Sequence, residues 1–453
     1  MRIDWTLGQF ACAVTLLVGT AHAMDFSDAV RKAQTFDPVT QAAQYAYQAG
    51  VEKGRQGTAL YLPQVNATGN YNYVHINSLA ILPPGFPNSV LVGDSSGYLH
   101  GFAVTLTQPI YNAVAWTGKA ELHDQARLAA IQFQGANENL ILRVAQAYFG
   151  VLMAEDSLEL TREQKAATSQ QLASAKARFK AGKTDITDVD DAQTSYDGIV
   201  AQEIAAANNL TIQQDLFKSI VGEPPNALSK VPESFKPRPP VPDDLQVWVD
   251  RGQQGNPTIA GARIQVDIST AEVSKYSLLG RPQLNLFASY QDMRQSGTLP
   301  ILVAPDRSRQ TVVGLQLSVP LFTGGANQSK YREALDDKQQ AQYQLQSAVL
   351  NTNVQIKQQF LNVDVGVDQI AALQQAVVSA KSSLDATTLG QKVGVRTTLD
   401  VLNAQQKYFS ALQNLDAARY QYLLSTLNLA SLAGTLGFKD VQAVNRYLTE
   451  DAR

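Results

Sequence analysis

The chain is written twice. Leu62-Pro63-Gln64-Val65-Asn66-Ala67 returns as Arg281-Pro282-Gln283-Leu284-Asn285-Leu286, 219 positions on. Leu106-Thr107-Gln108-Pro109-Ile110-Tyr111 returns as Leu317-Ser318-Val319-Pro320-Leu321-Phe322, 211 positions on. Gly182 returns as Gly394 at a step of 212, and each glycine is followed by Asp-Val, Ala-Gln and a tyrosine. In the first copy these are Asp188-Val189, Ala192-Gln193 and Tyr196; in the second, Asp400-Val401, Ala404-Gln405 and Tyr408. Three anchors in one order at nearly one step mean a duplicated unit, so the fold must have two similar halves. The first reads as residues 24–222 and the second as 247–436. Between them, 223–246 is a linker: residues 222–244 hold seven prolines, which remove backbone donors and forbid helix. Residues 437–453 remain as a C-terminal segment.

Inside each half the hydrophobic period changes. Residues 25–61 read as helix, rich in Gln and Ala with few breakers. Period two follows: Val65, Ala67, Tyr71 and Tyr73 oppose Gln64, Asn66, Thr68, Asn70 and Asn72. Tyr98, Phe102, Val104 and Leu106 likewise oppose Gly101, Ala103, Thr105 and Thr107. The second half repeats this, with Leu284, Leu286, Ala288 and Tyr290 against Gln283, Asn285, Ser289 and Gln291. Its return stretch sets Thr311, Val313, Leu315, Leu317 and Val319 against Gln310, Gly314, Gln316 and Ser318. These are strands with one apolar and one polar face, joined by loops at 77–97 and 294–308. Long helical regions follow at 113–181 with 184–222, and at 326–392 with 397–436. Helices of that length cannot each bury a private core and should pack side by side as coiled coils.

Strands of this length, with Asn, Gln, Ser and Thr on one face, suit a tilted membrane crossing around a wet interior. A half-solvated soluble sheet alternates equally well. If the strands span a membrane, four per chain leave open edges in lipid, so closure needs several chains. A dimer would give eight strands and a filled interior; a trimer, which the lumen favours, would give twelve. Tyr71, Tyr73, Tyr98, Phe102 and Tyr290 fit either an interfacial aromatic belt or ordinary sheet packing.

The N-terminus reads as a secretory signal over residues 1–23: Arg2, an apolar stretch from Phe10 to Val18, and Ala21-His22-Ala23 before Met24. The single cysteine, Cys12, falls inside it, so disulfides, thiol catalysis and thiolate metal sites are not expected downstream. No later run is long and apolar enough for a transmembrane helix. A net charge of −3 argues against a nucleic-acid partner. His75, His100 and His123 lack ligand spacing, and no cofactor or metal is expected.

The sequence resembles the TolC family of outer-membrane efflux and secretion channels. The resemblance is carried by Leu62-Pro63-Gln64, Val319-Pro320-Leu321-Phe322-Thr323-Gly324-Gly325, Ala376 to Ala386, Val393 to Ala404 and Ala418 to Leu423, spread over essentially the whole chain. It implies a mainly α homotrimer: a long coiled-coil α-helical barrel below a 12-stranded transmembrane β-barrel, four strands per chain. Implied partners are outer-membrane lipid, a periplasmic adaptor (membrane fusion) protein, and an inner-membrane ABC or proton-driven transporter, in a Gram-negative envelope. It implies that the two duplicated stretches are helical hairpin turns at the tunnel tip, with Gly182 and Gly394 allowing the reversal. Asp400 would then face the pore, with Asn403 where the family has a second pore Asp. Arg396 would be a latch reaching Thr187 and Asp188, and Gln391 stands where the family has a latching Tyr. Spacing alone gives another reading: Thr397-x-x-Asp400 and Asp185-x-x-Asp188 are helix N-cap signatures.

The function expected is therefore a passive export conduit with a gate at its periplasmic tip. The alternative is a non-conducting coiled-coil envelope tether. An outer-membrane enzyme is disfavoured because no nucleophile–base or metal cluster stands out.

Overall fold

The computed structural model describes residues 23–80, 91–299 and 306–449. The expected signal segment, apart from Ala23, lies outside them, as do the centres of both expected loops and residues 450–453. Helices α1 (Phe26–Phe36) and α2 (Pro38–Ala59) lead into the hairpin of β1 (Gln64–Ala80) and β2 (Leu91–Tyr111), then into α3 (Ala113–Lys180) and α4 (Ile186–Val221). The second half copies that order with α5 (Leu245–Gly255), α6 (Pro257–Ser277), β3 (Gln283–Gly297), β4 (Arg307–Ser318), α7 (Ala326–Lys392) and α8 (Thr398–Leu432). A last helix, α9 (Phe438–Thr449), closes the chain.

The single helix expected over 25–61 is broken at Asp37. Pro38 cannot donate to the preceding turn and sits at the first position of α2, while Asp37 caps that helix by accepting from the Thr40 amide at 2.7 Å. The duplicated site makes the same break: Asn256 caps α6, with Pro257 in its first turn. The two caps are completed differently. Asp37 is 2% exposed and takes a bidentate pair from Arg143 of α3 at 3.0 and 2.6 Å. Asn256 donates through Nδ2 to the Leu432 carbonyl, at a level where α7 presents the buried, apolar Ile356.

The strands pair in the order β1-β2-β3-β4, all antiparallel, so the two hairpins lie side by side and β2–β3 is the seam between the halves. Among the described residues β1 and β4 have no further strand partner and stand as edges. Strand lengths correct the expected loops: residues 77–80 and 91–97 continue the first hairpin, and 294–297 and 307–308 the second. Unbroken cross-strand pairing, from Gln64 with Thr107 to Ala80 with Leu91, carries Gly, Asn and Ser residues whose own propensity is poor.

The long helices appear within a few residues of their expected ends; α3 has 68 residues and reaches about 100 Å. Its main hydrophobic core lies at mid-height. Leu140, Val144, Tyr148, Phe149 and Leu152 of α3 pack with Phe26 of α1, Ile356 and Phe360 of α7, and Tyr420, Leu423 and Leu427 of α8. The linker wraps this belt. Lys230 reaches Asp156 at 2.8 Å, the Glu233 carbonyl accepts from Arg419 at 3.1 Å, and the Arg238 carbonyl accepts from the Tyr422 hydroxyl at 2.6 Å. Helix α9 buries Val441, Val444 and Leu448 on the same belt, where Tyr447 packs edge-on to Phe235 of the linker. Among the described residues no helix is long and apolar enough to cross a membrane.

Candidate functional site: the paired hairpin turns

Far from the sheet, α3 reverses into α4 and α7 into α8 by the same device. At the first turn the Gly182 amide donates to the Phe179 carbonyl and the Lys183 amide to the Arg178 carbonyl. At the second, Gly394 donates to Gln391 and Val395 to Gly390. This pair of bonds, one nested in the other, is the Schellman motif, which needs a left-handed residue just past the helix. Gly182 has φ 70° and Gly394 φ 86°, which explains glycine at both duplicated positions.

The helices leaving the turns are capped differently. Thr397 and Asp400 form a complete capping box: the Asp400 amide donates to Thr397 Oγ1 at 3.1 Å, and the Thr397 amide donates to Asp400 Oδ2 at 2.9 Å. The Thr397 amide, with Arg396 close by, holds the Asp400 carboxyl below its ordinary range. In the first hairpin the Thr184 hydroxyl bonds the Asp188 carboxylate.

The predicted residues gather at the two turns but do not all meet. Asn403 is exposed and lies three residues from half-buried Asp400, on the same side of α8. It opens a groove against Leu373 and Ala376 of α7 that continues through Lys407, Ser410 and Asn414. Arg396 and Thr187 are exposed, and among the described residues Arg396 makes no ion pair within its own chain. Its stem lies against Gly390, where an added Cβ would come within 2.8 Å of Arg396 Cγ. Gln391 is buried, and its amide nitrogen lies 3.3 Å from Thr398 Oγ1.

One contact joining the hairpins was not anticipated. Arg178, in the last turn of α3, donates to the Gln391 carbonyl at the end of α7 at 2.9 Å. Below it Leu402 of α8 packs with Leu172, Ala175, Val189 and Ala192 of the first hairpin. A basic residue in a final helical turn reads from sequence as a complement to the helix dipole, so nothing local announced a partner 213 residues away.

The molecule is thus a two-edged sheet carrying a helical stalk, with paired glycine turns at the stalk's far end. The family model described as outer membrane efflux protein matches residues 29–223 and 248–435. The chain is 31% identical over 435 residues to outer membrane protein TolC of Vibrio cholerae, covering 96% of each chain. It is 30% identical to TolC of Escherichia coli, covering 95% of this chain and 86% of that one. It is also 30% identical to the alkaline protease secretion protein AprF of Pseudomonas aeruginosa, covering 98% and 90%. The fold is similar to the Campylobacter jejuni CmeC outer membrane channel, with a TM-score of 0.77 at 14% identity over 100% of this chain and 99% of that one. It is also similar to VceC of Vibrio cholerae, at 0.74 and 16% over 91% and 96%. The chain belongs to the outer membrane efflux protein family, a family of channels, and its place is the outer membrane.

Proposed function

We propose that three copies close one duct that carries cargo from inner-membrane transporters through the periplasm and out of the cell, gated at the hairpin turns. The observation that carries this is the sheet: four strands with both edges unpaired, on a stalk about 100 Å long. Unpaired strand edges are not tolerated in lipid, so the sheet must close with other copies, and twelve strands leave a lumen that eight would fill. Four further helices per chain turn back at the far end, so a trimer presents six turns around one axis. In this assembly Asp400 and Asn403 narrow the tip. Arg396, without an ion pair in its own chain, reaches Thr187 and Asp188 of a neighbouring copy.

The duct catalyses no reaction; its energy comes from the transporter, an ABC or proton-driven type, which an adaptor protein couples to the tip. Both drug efflux and type I protein secretion suit such a conduit, and relatives include a protein named for alkaline protease secretion. Planar bilayers test the reading directly. Purified protein should give discrete single-channel currents; a bilayer that stays silent would leave the tether as the better account.

A further inference from the structure

The apolar face of the sheet changes character toward the hairpin ends. Residues paired directly across antiparallel strands share a face. On this one Phe102 pairs with Asp292, His100 with Arg294 and Tyr98 with Ser296. Tyr290 pairs with Thr311, Asp292 with Arg309 and Arg294 with Arg307. Nearer the helices the same face holds Leu284, Leu286, Leu315 and Leu317. An aliphatic band gives way to a rim where aromatic and basic side chains share levels: Phe102 is level with Asp292 and Arg309, Tyr71 and His100 with Arg294 and Arg307, and Tyr73 and Tyr98 come next. Tyr98 contacts both Tyr71 and Tyr73, and Phe102 contacts Tyr290, so the aromatics form a girdle through this rim.

The rim holds more positive charge than its own acid neutralises. Asp292, 7% exposed, accepts from Arg307 at 2.7 and 3.3 Å and from Arg309 at 3.2 Å, while Arg294 stands 3.8 Å away. The other acid on this face, Asp94, is taken by His75 at 3.1 Å. One carboxylate among three guanidinium groups leaves two charges over. The side chains of Arg294, Arg307 and Arg309 are 54%, 41% and 57% exposed, so each keeps donors free. An aromatic girdle marks the depth at which hydrocarbon gives way to headgroups. Arginine forks set among its rings, held in place by a buried carboxylate, match phosphate oxygens bidentately.

We infer that Arg294, Arg307 and Arg309, oriented by Asp292, bind phosphate groups of lipid headgroups in the leaflet facing out of the cell. The inference rests on the membrane-barrel reading of the sheet. The purified full chain is mixed in detergent with diphosphoryl lipid A or with dephosphorylated lipid A, and bound lipid is counted by native mass spectrometry. Wild type should retain the diphosphoryl form, and Arg307→Gln/Arg309→Gln should weaken its binding about tenfold. Equal retention by the double variant, or equal retention of the dephosphorylated lipid, overturns the inference. So does release of the lipid by millimolar inorganic phosphate, which would make the rim a site for the free ion. Conductance of the same preparations reports separately on the barrel: currents with no loss of lipid in the variant sink the site alone, whereas silence sinks the barrel reading.

Discussion

Asp400 has two carboxylate oxygens, and the capping box uses one. Oδ2 receives the Thr397 amide, which is the residue's local duty; the pore duty proposed for Asp400 is a separate one. The two duties separate by mutation. Thr397→Ala removes the hydroxyl acceptor and keeps the charge; it should cost about 1 kcal/mol of helix stability and leave block of the channel by multivalent cations unchanged. Asp400→Ala removes both and should weaken that block in planar bilayers; unaltered block would take Asp400 out of the pore. A second carboxylate acts at the belt. Arg143, bonding to Asp37, lowers its pKa from 3.8 to about 2, with the Thr40 bonds assisting. A depressed folded pKa means stability that is present above the unfolded value near pH 4 and is lost as pH falls through about 2. The gap is worth roughly 2 kcal/mol, read as an acid limb in the melting temperature. Arg143→Met strands a buried carboxylate, should cost roughly 3 kcal/mol, and should flatten or reverse that limb.

At the scale of elements, both hairpin turns depend on a left-handed residue with no Cβ. Nothing crowds either Gly182 or Gly394, so an alanine there meets only the backbone penalty, about 1–2 kcal/mol. Gly394→Ala should therefore raise hydrogen exchange around residues 390–397 without unfolding the belt. Arg178→Ala should raise exchange in both hairpins together, because it removes the bond between them; a change confined to α3 would mean the bond joins nothing. The four long helices were legible in sequence to within a few residues, because Gln- and Ala-rich stretches with apolar residues near helical spacing run that far without a proline; α5, α6 and α9 were not. The glycine turns were legible because they occur twice. The break at Asp37 was missed although Pro38 marked it, since the apolar period runs across it. The strand ends were misplaced for a related reason: Gly93, Asn77 and Ser78 read as loop, and only pairing across the hairpin makes them strand. The Arg178–Gln391 bond had no local signature at all.

At the scale of the whole molecule, the halves are alike in order and unlike in detail, and the differences fall at matching helix caps. Asp37 with Arg143 stands against Asn256 with Leu432, and the full capping box occurs only in the second hairpin. The latch proposed for Arg396 belongs at this scale, since it would join one copy to another. Arg396→Ser should raise single-channel conductance by loosening the tip, and unchanged conductance would remove Arg396 from the gate. The position of the hydrophobic core then acquires a mechanical meaning. From Leu152 at the edge of the belt, α3 runs a further 28 residues to Lys180, roughly 40 Å, with only small packed clusters along the way. The belt is a fulcrum and each hairpin a lever arm. A tilt of about 5° there, small enough for side chains to absorb without repacking, sweeps each turn through roughly 4 Å over such an arm. The bond from Arg178 to the Gln391 carbonyl, at the tip, therefore holds the two arms of a chain together where it has the greatest mechanical advantage.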